Sequence, residues 1–204
     1  MLSINEIVSK ILKSDIAIQR NLEKEIINIR ALARFIIKNY NLKENIDAVI
    51  SAIRRFKSKE SFSKAEEALK PIFKNATITT KCGVCCATIK ASNLNQVLDF
   101  LKNKKAKIIA SNKIKFFFEN IDKENVIKSL SSFIEELKEN LCEICIYVHP
   151  SAIVTKGVLA RLTNEIALAN INILEIIVST PEIIFYVDEK DAIEAHKSLL
   201  ALCR

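Results

Sequence analysis

Two Cys-x-x-Cys pairs have a spacing that could do chemistry: Cys82 with Cys85, and Cys142 with Cys145. Zinc sites use this spacing, with four thiolates or imidazoles around the ion. Residues 142–148, however, alternate as a strand does, and positions i and i+3 of a strand face opposite sides of a sheet. We therefore predict no metal site and expect the cysteines to act as small buried apolar residues. A turn at Cys82 and Gly83 is the arrangement that would bring the first pair together.

Glycine is rare, since Gly83 and Gly157 are the only two in the sequence. Loops that cradle phosphate groups need several closely spaced glycines, because backbone N–H groups must approach the anion. Neither the Rossmann pattern nor the P-loop pattern can be written on this sequence. The two histidines, His149 and His196, belong to no Ser/His/Asp or Cys/His arrangement. We predict that the chain is not an enzyme and uses no cofactor.

The second glycine stands in the most specific motif of the chain. Residues 157–161 read Gly-Val-Leu-Ala-Arg, and residues 170–173 read Asn-Ile-Asn-Ile. With a strand predicted before them and a hairpin after them, these motifs resemble the ACT domain, the amino-acid-sensing module of aspartokinases and of other enzymes of amino-acid metabolism. Lys156 stands where that family often has proline, and Asn170 where it often has glycine. The chain as a whole resembles an archaeal-type family with a helical N-terminal region followed by ACT-like units.

The resemblance implies a site for an amino acid or a similar small carboxylate. In ACT domains the ligand lies at a helix N-terminus, where N–H groups without a helical partner suit a carboxylate. It also implies a homodimer formed through the ACT units, with the last two site residues contributing across an interface. The implied ligand-binding residues are Val154, Thr155, Lys156, Gly157, Val158, Leu159, Asn170 and Asn172. His149 is further from the glycine than in serine-sensing members, so we expect it to have a local hydrogen-bond partner instead.

The elements that must position these residues alternate between strand and helix from about residue 75. Predicted strands cover residues 77–81, 84–90, 106–110, 113–118, 142–149, 171–179 and 182–187. Predicted helices cover residues 94–102, 123–139, 157–169 and 191–200. The order repeats after about 60 residues, which indicates two tandem βαββα units. The predicted fold class is α+β, an N-terminal helical bundle followed by two ferredoxin-like, ACT-like units. The predicted domains are 1–60 (helical), 61–74 (linker), 75–140 (degenerate ACT-like unit) and 141–204 (ACT domain).

The first 60 residues read as helices and carry most of the positive charge. Residues 1–76 contain 15 Lys and Arg against 9 Asp and Glu, so they carry most of the net charge of +7. A capping box at Ser3 and Glu6 begins the first helix, and further helices are predicted at 15–26, 30–40 and 45–57. The last two resemble a helix-turn-helix, whose second helix enters the major groove of DNA. Any small helical bundle can show this pattern, so a packing or oligomerisation domain with a solvated basic face is the alternative. The predicted nucleic-acid-binding residues are Arg34, Ser51, Arg54, Arg55 and Lys57.

Two functions follow from these observations. The first is a non-catalytic, ligand-responsive regulator that binds DNA through its basic helices. The alternative is a regulatory or assembly subunit of an amino-acid biosynthetic enzyme, aspartokinase-like, whose helices dock on a protein. No apolar run is long enough to span a membrane and the first residues do not form a signal peptide, so we expect a cytoplasmic protein.

Overall fold

The structure is a computed structural model that describes residues 2–56, 62–102 and 106–203. The chain divides into two compact units, residues 1–67 and residues 68–204. We call the first the helical unit and the second the sheet unit.

The helical unit contains four helices whose N-termini are all capped by side chains. They are α1 (Ile4–Ser14), α2 (Ile16–Glu23), α3 (Ile29–Asn39) and α4 (Ile46–Arg55). The predicted capping box is confirmed, because the Ser3 side chain accepts from the backbone N–H of Glu6 and the Glu6 carboxylate accepts from that of Ser3. Apolar residues at helical spacing on α1, α3 and α4 form one core, which includes Leu12, Ile36 and Val49. Burial of these side chains, at roughly 25 cal/mol per Å² of apolar surface, is what holds three short helices together.

A fifth helix, α5 (Phe62–Phe73), occupies most of the segment predicted as a linker. The division between the two units falls within this helix. Its last turns are amphipathic: Ile72 and Phe73 are almost fully buried in the sheet unit, and Leu69 packs against the same core. The C-terminal end of the predicted linker is therefore part of the core of the sheet unit.

The sheet unit is built on six antiparallel strands, so the predicted mixed helix-and-sheet class is confirmed. The strands are β1 (Thr77–Lys90), β2 (Lys107–Ala110), β3 (Lys113–Glu119), β4 (Ile134–Tyr147), β5 (Glu175–Ser179) and β6 (Glu182–Asp188). Their order across the sheet is β2-β3-β1-β4-β6-β5. The helices are α6 (Leu94–Leu101), α7 (Lys123–Leu130), α8 (Val158–Leu168) and α9 (Ala192–Leu200).

The two central strands are long because each serves both halves of the sheet. Residues 84–90 of β1 pair with β3 on one side and with residues 134–141 of β4 on the other. Residues 77–81 of β1 pair with residues 143–147 of β4, which in turn pair with β6. The first half thus has the order β2-β3-β1-β4 and the second half the order β5-β6-β4-β1. The second half takes its fourth strand, residues 77–81 of β1, from the start of the first repeat, whereas the first half is completed by the beginning of β4, which continues into the second half.

Both long strands change partner where a residue adopts a left-handed backbone. Gly83 in β1 has φ +70° and Asn140 in β4 has φ +56°. The pairing register shifts between Lys81 and Val84, so two residues of β1 oppose one of β4, which is a β-bulge. We call the stretch of β1 and β4 around Gly83 and Asn140 the seam.

The halves face one another across a shared core. In a flat sheet β3 and β6 would lie about 14 Å apart, since neighbouring strands are about 4.8 Å apart. The rings of Phe117 on β3 and Tyr186 on β6 nevertheless stack with centroids 3.8 Å apart. The sheet is therefore curled, with α6 and α7 on the outer face of one half and α8 and α9 on that of the other. The buried residues between the halves are Val84, Cys86, Phe117, Leu141, Cys145, Ile184 and Tyr186.

Three expectations about elements are wrong. The helix predicted at 123–139 ends at Leu130, and β4 begins at Ile134, because residues 134–141 pair with β1. Cys82 and Gly83 form a bulge inside one strand and not a turn between two strands. The strand predicted at 171–179 begins only at Glu175, because residues 171–174 connect the end of α8 to β5.

Candidate functional site

The segment between β4 and α8 forms a loop that we call the glycine corner, residues 148–159. A 3-10 turn, Pro150–Val154, fills most of it. His149 Nδ1 accepts from the backbone N–H of Ser151 at 3.2 Å and lies 2.8 Å from Ser151 Oγ. Thr155 Oγ1 donates to the carbonyl oxygen of Ser151 at 2.8 Å. The expectation of a local hydrogen-bond partner for His149 is confirmed, and the loop is held by its own side chains.

Gly157 ends this loop as the N-cap of α8. Its φ is +88°, in the left-handed region that residues with a Cβ adopt only with strain. A Cβ at this position would meet only Leu69 Cδ1 of α5, at 3.9 Å, an ordinary contact. No side chain caps α8, and its first internal bond runs from Arg161 N–H to Gly157 oxygen. The N–H groups of the first turn therefore have no partner within the helix.

The side chains around Gly157 divide into buried and exposed ones. Val158 is buried in the outer core of the second half, so its side chain is not exposed at the corner. Val154 is 80% exposed, its neighbour Ile153 is 76% exposed, and Leu159 is also exposed. Thr155 is half-buried and Lys156 is exposed. The corner thus presents backbone donors beside a small group of exposed aliphatic side chains.

The remaining two predicted ligand residues, Asn170 and Asn172, follow the opposite end of α8. The helix has 11 residues, so its two ends lie about 16 Å apart. Asn170 has φ +58° and donates to the carbonyl oxygen of Ala167, while Ile171 N–H donates to that of Ile166. These two bonds form a Schellman motif, in which a left-handed residue ends the helix. The family's glycine and this asparagine suit the same position, because both tolerate a left-handed backbone.

Neither Cys-x-x-Cys pair gathers into a site, and the expectation of burial is wrong for Cys82, which is exposed. Cys142 faces the outer core of the second half and Cys145 the shared core, so the prediction that they lie on opposite faces of the strand is confirmed. Cys85 and Cys86 are buried on opposite faces of β1 in the same way. Within residues 2–56, 62–102 and 106–203 no group of three or more His, Cys, Asp or Glu is arranged to hold a metal ion.

A cavity of about 400 Å³ at the seam was not foreseen from the sequence. Lys81 and Glu119 pair across it at 2.5 Å, and Lys107 pairs with Glu143. Glu143 also accepts a hydrogen bond from the Tyr186 hydroxyl at 2.7 Å. Burial, followed by that hydrogen bond, raises the pKa of Tyr186 well above its usual range. Because each lysine of the cavity is paired with a glutamate, the charges around it neutralise one another. These residues are far apart in the chain, so their spacing in the sequence does not predict the cavity.

His196 has a structural contact that the sequence did not indicate. Its Nδ1 lies 2.7 Å from Thr80 Oγ1, so the α9 side chain is tied to the first part of β1. This contact connects the last helix to the strand that the second half receives from the chain before the first half.

The predicted nucleic-acid residues lie on the outside of the helical unit. Arg34 on α3 and Ser51, Arg54 and Arg55 on α4 are exposed, while Lys57 lies outside the described residues. Ser51 shares a face of α4 with the two arginines, since residues three and four apart are neighbours on a helix. The structure brings these three together and places Arg34 on a separate helix.

A groove of about 540 Å³ lies beside this face, between α1 and the end of α4. Arg55 lines it together with Lys10 and Lys13 of α1, two cations that the sequence analysis did not single out. The arginines occupy the last turn of α4, where they also complement the negative end of the helix dipole. Asp47, an exposed carboxylate, occupies the first turn of the same helix.

No helix among the described residues combines the length and apolar character that a membrane crossing requires. No protein-family model matches the sequence, and no curated protein sequence matches it either.

Solved structures of aspartate kinase regulatory parts share the fold. A putative C-terminal regulatory domain of aspartate kinase from Porphyromonas gingivalis W83 is 14% identical with a TM-score of 0.51, over 64% of this chain and 98% of that one. The ligand-free regulatory subunit of aspartate kinase from Thermus thermophilus is 14% identical with a TM-score of 0.52, over 62% and 97%. Escherichia coli aspartokinase III with aspartate and ADP is 15% identical with a TM-score of 0.54, over 65% of this chain but 34% of that one. At these identities the likeness establishes the fold, which is that of aspartokinase regulatory domains.

Proposed function

We propose that this chain is a non-catalytic regulatory protein that senses an amino acid or a similar small carboxylate through ACT-like units. The observation that carries the proposal is the glycine corner. Gly157 holds a left-handed backbone at the uncapped N-terminus of α8, where partial positive charge and backbone donors favour a carboxylate. The fold shared with aspartokinase regulatory domains supports the same conclusion.

The complete site forms when two copies of the chain pair through the second half. Asn170 and Asn172 lie too far from Gly157 along α8 to reach the same ligand within one copy. Exposed Ile153, Val154 and Leu159 give the corner an apolar surface suited to a protein contact. A ligand that bridges the corner of one copy and the asparagines of its partner would stabilise the pair.

A thermal-shift screen of the twenty amino acids tests the sensor. A ligand bound only by the folded protein raises Tm as its concentration exceeds Kd, by an amount that corresponds to about 2.7 kcal/mol at one hundred times Kd. Leu159→Glu would abolish the ligand-induced rise in Tm. It would also lower the molar mass measured by light scattering toward that of the monomer. Ile121→Glu is the matched control, because Ile121 is 85% exposed on the first half. A flat response of the unmodified chain to every amino acid excludes this function.

The output of the sensor is binding of DNA by the helical unit. Arg55 on α4 lines the groove with Lys10 and Lys13, and Arg54 is exposed next to it on the same helix. Cations therefore outnumber the one carboxylate of the groove, Glu6. In a gel-shift titration at low salt, Arg54→Ala with Arg55→Ala would weaken binding at least tenfold. Lys128→Ala, an exposed cation of α7, would leave it unchanged. Absence of any binding at low salt by the unmodified chain rejects this output.

A regulatory or assembly subunit of an amino-acid biosynthetic enzyme is the second candidate. Asp47 favours it, since the N-terminal residues of a recognition helix approach bases and phosphates, and a carboxylate there is repelled by DNA. The arginines in the last turn of α4 would then serve as cations for an acidic protein surface. Copurification of a biosynthetic enzyme without nucleic acid, lost in the Arg54→Ala and Arg55→Ala variant, would select this function over the first.

A further inference from the structure

Two thiols meet at the seam. The sulfur atoms of Cys82 on β1 and Cys142 on β4 lie 3.2 Å apart. Because Lys81 pairs with Glu143 and Val84 with Leu141, Cys82 and Gly83 together oppose Cys142 in the bulge. These residues are 60 positions apart in the sequence, so neither Cys-x-x-Cys motif predicts this pair.

The backbone around this pair suits a covalent link. Residues directly opposite in antiparallel strands have Cα atoms about 4.5–5.5 Å apart, within the range that disulfides span. Bond formation at about 2.05 Å requires the sulfurs to approach by little more than 1 Å. Gly83 beside Cys82 has no atom within 4 Å of the place a Cβ would take, so the bulge has room to adjust.

The two thiols also differ in a way that sets the order of reaction. Cys82 is exposed, whereas Cys142 is fully buried. Burial, and then the hydrogen bond with Cys82, raises the pKa of Cys142 to about 12. An incoming reagent therefore reaches Cys82 first, and Cys142 is positioned to resolve the product.

We propose that Cys82 and Cys142 form a reversible disulfide that fastens β1 to β4 at the seam. The oxidant is a small-molecule disulfide. The Cys82 thiolate attacks one sulfur of it and releases one small thiolate, which takes up a proton. Cys142 then gives up its proton and attacks the Cys82 sulfur of the mixed disulfide, releasing the second small thiol. The two protein thiols lose two electrons in total, and the small disulfide gains them as two thiols.

Incubation of the folded full chain with oxidised glutathione tests this inference. We expect a mass loss of two hydrogen atoms and, after digestion without reduction, a peptide crosslinked through Cys82 and Cys142. The crosslink closes a long loop, so Tm should rise by about 5–10 °C. A reducing thiol should reverse both changes. A glutathione adduct that stays on Cys82, a crosslink between other cysteines, or an unchanged Tm of the crosslinked chain would overturn the proposal.

Variants make the assignment specific. Cys82→Ser replaces an exposed residue and should fold, yet lose the crosslink and the Tm rise together. Cys203→Ser, which removes a partly exposed cysteine of the sheet unit, is the matched control and should keep both. Crosslinking and a Tm rise that persist in Cys82→Ser would also overturn the proposal. The test is independent of any amino-acid or DNA binding.

Discussion

The two halves of the sheet unit share a strand order but differ at the entry to their first helix. In the first half β1 ends at Lys90, and the 3-10 turn Ala91–Asn93 leads directly into α6. In the second half residues 148–157 of the glycine corner separate β4 from α8. The extra residues give the second half a loop with its own hydrogen bonds and a left-handed glycine at the start of its helix, whereas neither α6 nor α8 has a side-chain cap. The same framework thus yields two different entries to the first helix, and the proposed ligand site lies at the longer one.

The first prediction is that the two halves of the sheet unit unfold together, and separate unfolding would contradict the comparison. Phe116 in the first half and Phe185 in the second are both fully buried in the outer cores. Because β1 and β4 belong to both halves, Phe116→Ala and Phe185→Ala should each cost about 3–5 kcal/mol in the same cooperative transition. Urea unfolding monitored by circular dichroism measures this. Ile121→Ala, at an exposed site, should cost less than about 0.5 kcal/mol. Two separate sheet transitions, each sensitive to one phenylalanine, would contradict shared cooperativity.

A second prediction compares the glycine of the corner with the glycine of the seam. Both have positive φ, and a Cβ added at either position would clash with no neighbouring atom. Gly157→Ala and Gly83→Ala should therefore each cost about 1–2 kcal/mol from backbone strain alone. Asn170→Gly, which keeps a left-handed helix end, should change the free energy of unfolding by less than about 1 kcal/mol. Chemical denaturation measures all three. A Gly157→Ala loss far above that of Gly83→Ala would indicate that the corner is more tightly constrained than its contacts show.

The smallest effect concerns an ion pair that joins the halves. Lys115 on β3 and Glu175 on β5 lie 2.5 Å apart. The hydrogen bond to Glu175 raises the pKa of Lys115 in the folded state. The pair therefore stabilises the fold below the unfolded lysine pKa of about 10.4, and this contribution is lost as pH rises through the higher folded value. Both side chains are partly exposed, so its size is under about 1 kcal/mol.

The pH dependence of Tm between pH 9 and pH 12 measures this contribution. The unmodified chain should lose slightly more stability over this interval than Lys115→Gln, because the variant has no titrating partner for Glu175. Lys128→Gln, on an exposed site of α7, serves as the control. Parallel curves for the unmodified chain and Lys115→Gln would show that the pair contributes nothing across the halves.

The sequence predicted the elements whose signals are local. The capping box at Ser3, the helix after Gly157 and the opposite faces of Cys142 and Cys145 all follow from spacing within a few residues. The path of residues 131–141 was not predictable in this way. Helix formers such as Glu135 and Leu137 favour a continued helix, but pairing with β1 outweighs that weak preference.

The features of the candidate site also fall into those with a local sequence signal and those without one. The helix N-terminus at Gly157 could be placed from the motif, whereas the left-handed backbone of Gly157 is known only from the structure. The meeting of Cys82 with Cys142 and the cavity at the seam depend on parts of the chain that are far apart in the sequence. No local pattern encodes that pairing or the curl of the sheet.

The exchange of strands has a practical consequence for anyone who would divide the protein. A cut after residue 140 separates two repeats in the sequence but severs β4, and it removes from the second repeat residues 77–81 of β1, the strand that completes its half of the sheet. Each fragment would then present a row of unpaired backbone N–H and C=O groups, which is a template for aggregation. The two repeats share one continuous sheet, so we expect them to be inherited and expressed together.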